Sequence, residues 1–500
     1  MKVITKTDIK RQKRCQKYCH LAKKNPEQGN GADLSAKLGK AAEPYFVRTL
    51  GLDKLTPGHT YSVPANIKLT ERVDKTKALL SDKNAKVIYE ASFMFDGVFI
   101  SVDALHMKED GSIDIYEFKT RSVTTKENSD LYIDAAIQFY VIKNSHTEPS
   151  SVFLAMLDTS KVAPNYDEIF VVRPVKEDCV KLNDFVVQEI NLTKSVIENE
   201  SLTEVTKVGS HCNAPGKCPF YKDCFSKLPE HGVHTLYNVR WDKKNQLLEN
   251  NIQTVDQLEP SFSEGKEILR RQYNAVKSNE TYINKEAIKK SLNLYEGLIA
   301  FFDFETISMP IPLIKGAKAW ELLPFQFSCH LTDKDGNVVE HFEYLAEKND
   351  FKSKKLFNKC AYALIKSLEK ATYFVSYNES FELSRIKRII EMSDAHGEKL
   401  QEIMNKIKNI DLLPIIQNNY YHKDLKGSFS IKAVLPLLVE SMSYSGMEVA
   451  NGSDAMDSAF KLYFEDPSQD EAAKIKEDLF KYCEKDTMAM VEIYKKLKNI

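Results

Sequence analysis

The stretch Phe301-Phe302-Asp303-Phe304-Glu305-Thr306 constrains the fold of this chain more than any other. Alternate side chains of a strand point to opposite faces, so Asp303 and Glu305 share one face while Phe302 and Phe304 take the other. Carboxylates that converge from different segments can hold two cations around one phosphate, and Asp-x-Glu supplies two of them. Far downstream, Tyr482 and Asp486 lie four residues apart in a stretch, 470–498, that reads as helix, so they stack on one face.

In order and spacing these segments resemble the DEDD exonucleases of the RNase H-like fold, in the subclass whose last motif carries a tyrosine. The resemblance expects Asn-x-x-Phe-Asp as the middle motif. Tyr377-Asn378-Glu379-Ser380-Phe381-Glu382 stands there, with a glutamate one methylene longer in the aspartate's place, and Asp411 is a spare acid nearby in sequence. The resemblance implies that Asp303, Glu305, Glu382 and Asp486 hold two Mg or Mn ions, while Tyr482 positions a water for 3′ to 5′ removal of nucleotides.

A second constellation lies upstream. Asp96-Gly97 opens a strand ending at Asp103, a turn follows at Glu109-Asp110-Gly111, and Ile113-Asp-Ile-Tyr-Glu117-Phe-Lys119 forms the next strand. Two alternating strands joined at a turn place Asp103 near Glu117 and Lys119, which share a face. Two acids can hold a cation, and a neighbouring lysine can orient water or stabilise a phosphorane-like transition state. Asp, then Glu-x-Lys, is the pattern of the PD-(D/E)XK nucleases. The helix after it, Asp130 to Lys143, carries Asp134 and Gln138 one turn apart, and Gln138-Phe139-Tyr140 resembles the Gln and Tyr motif of RecB-like nucleases. Such enzymes often add a carboxylate where Glu90 stands, which makes it a further metal ligand by resemblance.

Nine cysteines in a large chain without a secretory pattern read as ligands, core residues or free thiols rather than disulfides. His211-Cys212, Cys218 and Cys224 follow the second constellation, and Cys15 and Cys19 precede it. One cysteine before and three after resembles the iron-sulfur RecB-like nucleases, the AddB nuclease domain and the CRISPR-associated exonucleases. That resemblance implies a [4Fe-4S] cluster on Cys212, Cys218, Cys224 and Cys15, with Cys19 as the alternative fourth ligand. A zinc site using His211 is the other reading, although tight two-residue cysteine spacings are absent. Cys179, Cys329, Cys360 and Cys483 read as isolated thiols.

Five hundred residues exceed one core, and apolar content of 43% with 10% aromatics supports folded domains. The expected α/β architecture has three parts: a restriction-endonuclease-like domain over 1–230, a helical connector over 231–295, and an RNase H-like mixed-sheet domain over 296–500. Asp333-Lys-Asp-Gly336-Asn337 is a hairpin turn between strands near 325–332 and 338–345, after which helices dominate. A net charge of -1 gives no overall field for nucleic acid, so binding must use local patches, such as the nine Lys or Arg within residues 1–24. That segment suits either a solvated basic helix or a phosphate-facing surface. No secretory or membrane-spanning pattern is present, so the chain reads as cytoplasmic. No Gly-x-x-x-x-Gly-Lys-Ser/Thr loop occurs, so a helicase would have to be a separate partner.

Nearly the whole chain resembles an uncharacterised bacterial family, a domain of unknown function that joins a RecB-like nuclease to a DEDD-like domain. Pro324–Ser328, Gly427–Pro436 and Tyr482–Thr487 carry that match. It implies a metal-dependent nuclease with DNA ahead of RNA as substrate, in repair or defence. RNA trimming and a nucleic-acid-binding scaffold with an inactive C-terminal fold are the alternatives.

Overall fold

A computed structural model of the chain describes residues 3–30, 34–55, 59–123, 130–164, 169–204, 207–293 and 296–500. It shows a mixed α/β protein in two units. The first comprises Met1–Lys227 with Pro310–Pro312 and Ala317–Trp320, and the second Leu228–Met309, Leu313–Gly316 and Glu321–Ile500. Residues 231–295, read from the sequence as a connector, fall within the second unit. Among the described residues no helix is long and apolar enough to cross a membrane.

The first unit is built on strands β1 (Ile4–Thr5), β2 (Thr60–Ser62), β3 (Val87–Phe95), β4 (Val98–Met107), β5 (Ile113–Ser122), β6 (Ser151–Leu157) and β7 (Phe170–Pro174). Their order is β2-β3-β4-β5-β6-β7, with β1 paired to β4. The β3–β4 turn is tight because Asp96 and Gly97 both take positive φ, 50° and 76°, as a two-residue hairpin requires. β5 and β6 run parallel and are joined by the helix Asp130–Ser145. That helix is buried on nearly every side, polar Asp134 and Gln138 included. A helix so enclosed can carry polar groups only where partners meet them.

The second unit holds β8 (Tyr282–Ile283), β9 (Leu298–Ser308), β10 (Leu322–Thr332), β11 (Val338–Leu345), β12 (Ala371–Ser376), β13 (Lys408–Asp411) and β14 (Tyr420–Tyr421). Five of these form a mixed sheet in the order β11-β10-β9-β12-β13, while β8 and β14 make a separate ribbon. β9 lies centrally, antiparallel to β10 and parallel to β12. Ile299, Ala300, Phe301 and Phe302 are all buried, which explains why the run is apolar without alternation: both faces of the sheet are covered there. The β10–β11 turn closes on Asp333 Oδ1, which accepts from the Asp335 and Asn337 N–H groups at 2.9 Å each.

Strands also appear where the sequence reads as helix. β12 is six residues of β-branched and aromatic character, too short for a period to show, and β8 has only two residues. Both are fixed by neighbours rather than by local pattern. The terminal helix Gln469–Lys498 packs on β9 and β10.

Phe302 is fully buried and meets the rings of Phe304, Phe327 and Phe374 at 4.6, 5.1 and 5.3 Å. Phe302→Ala should cost about 3–5 kcal/mol. A urea titration should show this as an earlier unfolding transition, and an unchanged midpoint would contradict the packing.

Candidate functional site

Strand β9 presents Asp303 and Glu305, and the terminal helix presents Asp486. One carboxylate oxygen of each lies within 4.8 Å of the other two. Glu382, in the first turn of the helix Glu379–Met392, is buried and faces the same acids, and its Oε2 has no hydrogen-bond partner. Burial first, and then mutual repulsion, raises these carboxyls: Glu305 to about 8, and Asp303 and Glu382 well above the usual carboxylate range. Burial also raises Asp486, against the opposing hydrogen bond from Tyr444. Buried like charges with an orphaned oxygen beside them suit dications, which would relieve the repulsion and supply the missing partner.

The spare acid Asp411 does a different job. Its carboxylate accepts from the backbone N–H groups of Asn378, Glu379 and Leu413 at 2.9, 3.1 and 3.0 Å, pinning the start of the Glu379–Met392 helix. Glu382, rather than Asp411, is the acid that faces the cluster, although it stands outside the three whose oxygens lie within 4.8 Å of one another.

Two residues that sequence reasoning missed complete this site. Tyr444 donates its hydroxyl to Asp486 Oδ1. Lys432 Nζ donates to Tyr482 Oη at 3.3 Å and to the Ala450 carbonyl, and its charge partly offsets the rise of the Glu305 and Asp486 carboxyls. Glu305 Oε2 also lies 3.8 Å from where a Cβ on Gly452 would stand, at the first turn of the helix Gly452–Phe464. A helix N-terminus favours negative charge, so backbone dipoles share the task of holding the acids. Nothing in the local sequence marks Tyr444, whereas Lys432 sits in the Gly427–Pro436 stretch already singled out.

In the first unit, β4 carries Asp103 and β5 carries Glu117 and Lys119, with Asp134 and Gln138 entering from the helix Asp130–Ser145. Lys119 Nζ lies 2.5 Å from Glu117 Oε1 and 2.8 Å from Asp134 Oδ2. Glu117 also accepts from Lys6 at 2.6 Å and, through Oε2, from Gln138. Burial works against the charge on Glu117, but Lys119 and Lys6 outweigh it and hold the carboxyl below its usual range. Asp103 is the opposite case. Burial and the Glu117 charge lift it to about 8, although its Oδ2 accepts from the Phe118 N–H at 2.6 Å.

Glu90 sits at φ 56° with its carboxylate 3.1 Å from Arg72, which also bonds Ser101 Oγ at 2.9 Å. The sequence-derived ligand is therefore ion-paired to that arginine. Lys10 reaches Asp134 at 2.5 Å, while Asp134 Oδ1 is left buried without a partner. Part of the basic segment thus turns inward onto acids instead of presenting only a solvated face. Its lysines carried no local sign of these partners, which lie more than a hundred residues away.

One pocket of the first unit is lined by Cys15, Cys212, Cys218 and Cys224, together with Arg14, Lys17, Tyr18, Lys207, His211 and Tyr221. Cys19 points elsewhere, its thiol buried against the Asp8 carbonyl at 3.3 Å, and burial pushes it up to about 12. Arg14 ties the loop down by donating to the carbonyls of His211, at 2.7 Å, and Gly216. The four pocket thiols do not form a set whose ligand atoms all lie within 4.8 Å of one another. Cys179, Cys329, Cys360 and Cys483 are all buried.

Residues 300–430 match the family described as Domain of unknown function (DUF2779), a span that includes Asp303, Glu305 and Glu382. The chain is 22% identical to Uncharacterized protein MG366 of Mycoplasma genitalium over a 583-residue alignment, covering 95% of this chain and 86% of that protein. It is 23% identical to Uncharacterized protein UU173 of Ureaplasma parvum over 238 residues, 44% of this chain and 34% of that one. No solved structure matches the chain.

Carboxyls raised by folding stabilise the protein fully below their unfolded values, and that contribution is lost as pH rises through their folded values. With Glu305 near 8 and its neighbours raised too, the metal-free thermal midpoint should fall between pH 6 and pH 9. Mn2+ should restore it at pH 9, and Asp303→Asn should flatten the pH dependence. Differential scanning fluorimetry reads all three.

Proposed function

We propose that this chain is a metal-dependent nuclease that hydrolyses phosphodiester bonds, most directly in DNA undergoing repair or in defence. The observation that carries the reading is the convergence of Asp303, Glu305 and Asp486 beside the buried Glu382, whose Oε2 has no hydrogen-bond partner. On this reading the acids hold Mg or Mn, which supplies charge stabilisation for the phosphate undergoing attack. Tyr482, tied to Lys432 and Asp486, positions the attacking water, and Lys432 offsets the charge the acids retain. The DEDD-like, tyrosine-type assignment with an RNase H-like fold belongs to this proposal.

The first unit is assigned a second hydrolytic site of the PD-(D/E)XK type. Asp103 and Glu117 would bind the cation, Lys119 would assist the water, and Gln138 would hold Glu117 in place. Lys6 occupies a position on Glu117 that an incoming cation would contest. Cys15, Cys212, Cys218 and Cys224 would hold a [4Fe-4S] cluster, with Arg14 and Lys17 nearby to offset its thiolate charge. Such a cluster would serve structurally, joining the N-terminal segment to the loop that follows the catalytic strands. A second reading is favoured by the three donors already on Glu117: the first unit binds nucleic acid and only the second cleaves it.

End-labelled single-stranded DNA, duplex DNA and RNA, incubated with Mg or Mn, test these assignments. Asp303→Ala should remove stepwise 3′ trimming by about 100-fold or more, and Lys119→Ala should remove the remaining cleavage. Unchanged cleavage in both variants overturns the two-site proposal, and loss in Asp303→Ala alone supports the second reading. Anaerobically purified protein should be brown and contain iron, and Cys212→Ser should lose both.

A further inference from the structure

A different set of ligating side chains lies in the second unit. His330 on β10 and His341 on β11 are paired directly across the hairpin, and their rings stack at 4.0 Å with an interplanar angle of 13°. Burial disfavours the charged form of both rings, and the neighbouring His341 disfavours it further at His330. Each ring has a hydroxyl partner for one nitrogen. His330 Nδ1 lies 2.8 Å from Thr487 Oγ1, and His341 Nε2 lies 2.9 Å from Ser328 Oγ. The two hydroxyls are themselves 2.7 Å apart. Glu484, on the terminal helix, supplies a carboxylate, and one ligand atom of each of the three residues lies within 4.8 Å of the others. His330 is buried, His341 half-buried and Glu484 exposed, so the group is anchored in the sheet and open to solvent at its outer end.

We propose that His330, His341 and Glu484 form a binding site for a transition-metal dication of the zinc class. Two imidazoles and one carboxylate are a donor set for zinc and its neighbours, whereas magnesium and calcium take oxygen ligands. Outer-shell partners fix ring orientation at such centres, and Ser328 and Thr487 occupy that role here. Three protein ligands leave a fourth tetrahedral position for water. The site uses none of the acids on β9. Its effect on them comes through the terminal helix: Glu484 lies between Tyr482 and Asp486, and Thr487 follows directly. A bound ion therefore clamps to the hairpin the helical turn that carries two residues of the acid site. That regulatory consequence rests on the nuclease reading, whereas the binding site itself does not.

Co2+ titration of the full chain, followed through its visible ligand-field bands, tests the site, because thiolate ligation adds an intense near-ultraviolet band that imidazole and carboxylate lack. One equivalent with the stronger bands of four-coordinate Co2+ should bind without thiolate character, distinct from any weakly absorbing ion held by the carboxylates alone. His341→Ala and Glu484→Gln should each weaken it by at least about tenfold, while Cys212→Ser should leave it unchanged. Glu484 is exposed, so its variant keeps the fold, to be checked by circular dichroism. Absence of this binding, survival in both variants, loss in His341→Ala alone, or loss in Cys212→Ser each overturns the three-ligand site. The nuclease reading stands or falls separately, by the Asp303→Ala cleavage assay.

Discussion

Repulsion among Asp303, Glu305, Glu382 and Asp486 is the force against which the second unit is built. No single element supplies all four: two come from β9, one from the Glu379–Met392 helix and one from the terminal helix. Left to themselves these elements would separate, since each carboxylate gains by moving to water. Apolar burial holds them instead. The β9 aromatics pack in the sheet, and Leu479, Cys483, Met490 and Ile493 bury the terminal helix behind the acids. Each such side chain contributes on the order of 1.5–3 kcal/mol, enough in sum to keep a few strained carboxyls in place.

The first unit solves the same problem differently. Glu117 and Asp134 are buried, but Lys6, Lys10 and Lys119 stand against them. A buried ion pair recovers its desolvation cost only when geometry is good and the remaining lone pairs are satisfied. Gln138 satisfies Glu117, whereas Asp134 retains one orphaned oxygen. One unit therefore buries acids chiefly against one another, and the other buries acids against lysines.

What could be read in the sequence follows from the range of each interaction. The shared face of Asp303 and Glu305, the Tyr482–Asp486 spacing and the Asp333–Asn337 turn are local, and periodicity or turn chemistry reveals them. The grouping of Cys15 with three distant cysteines came from resemblance, and the pocket shows the same four lining residues. Lys6, Tyr444 and the Arg72 partner of Glu90 had no such signal. Their contacts span 111, 42 and 18 residues, and no helical or strand period extends so far. The choice between Glu382 and Asp411 was likewise undecidable from spacing, because both lie at the start of the same helix and only their partners separate the acid facing the cluster from the one that caps the helix.

Arg14 bonds the carbonyls of His211 and Gly216, across 197 and 202 residues. Closing a loop of that size costs chain entropy that grows as about (3/2)RT ln n, and nothing local offsets it beforehand. During synthesis β1 can join β4 once about half of that length has emerged, but the arginine must wait for the loop itself. The Arg14 contact is thus the last of the basic segment's ties to form, after β1 has met β4 and the lysines have met Glu117 and Asp134. The segment's lysines close the acids of the first unit only when the chain has come round to meet its own beginning.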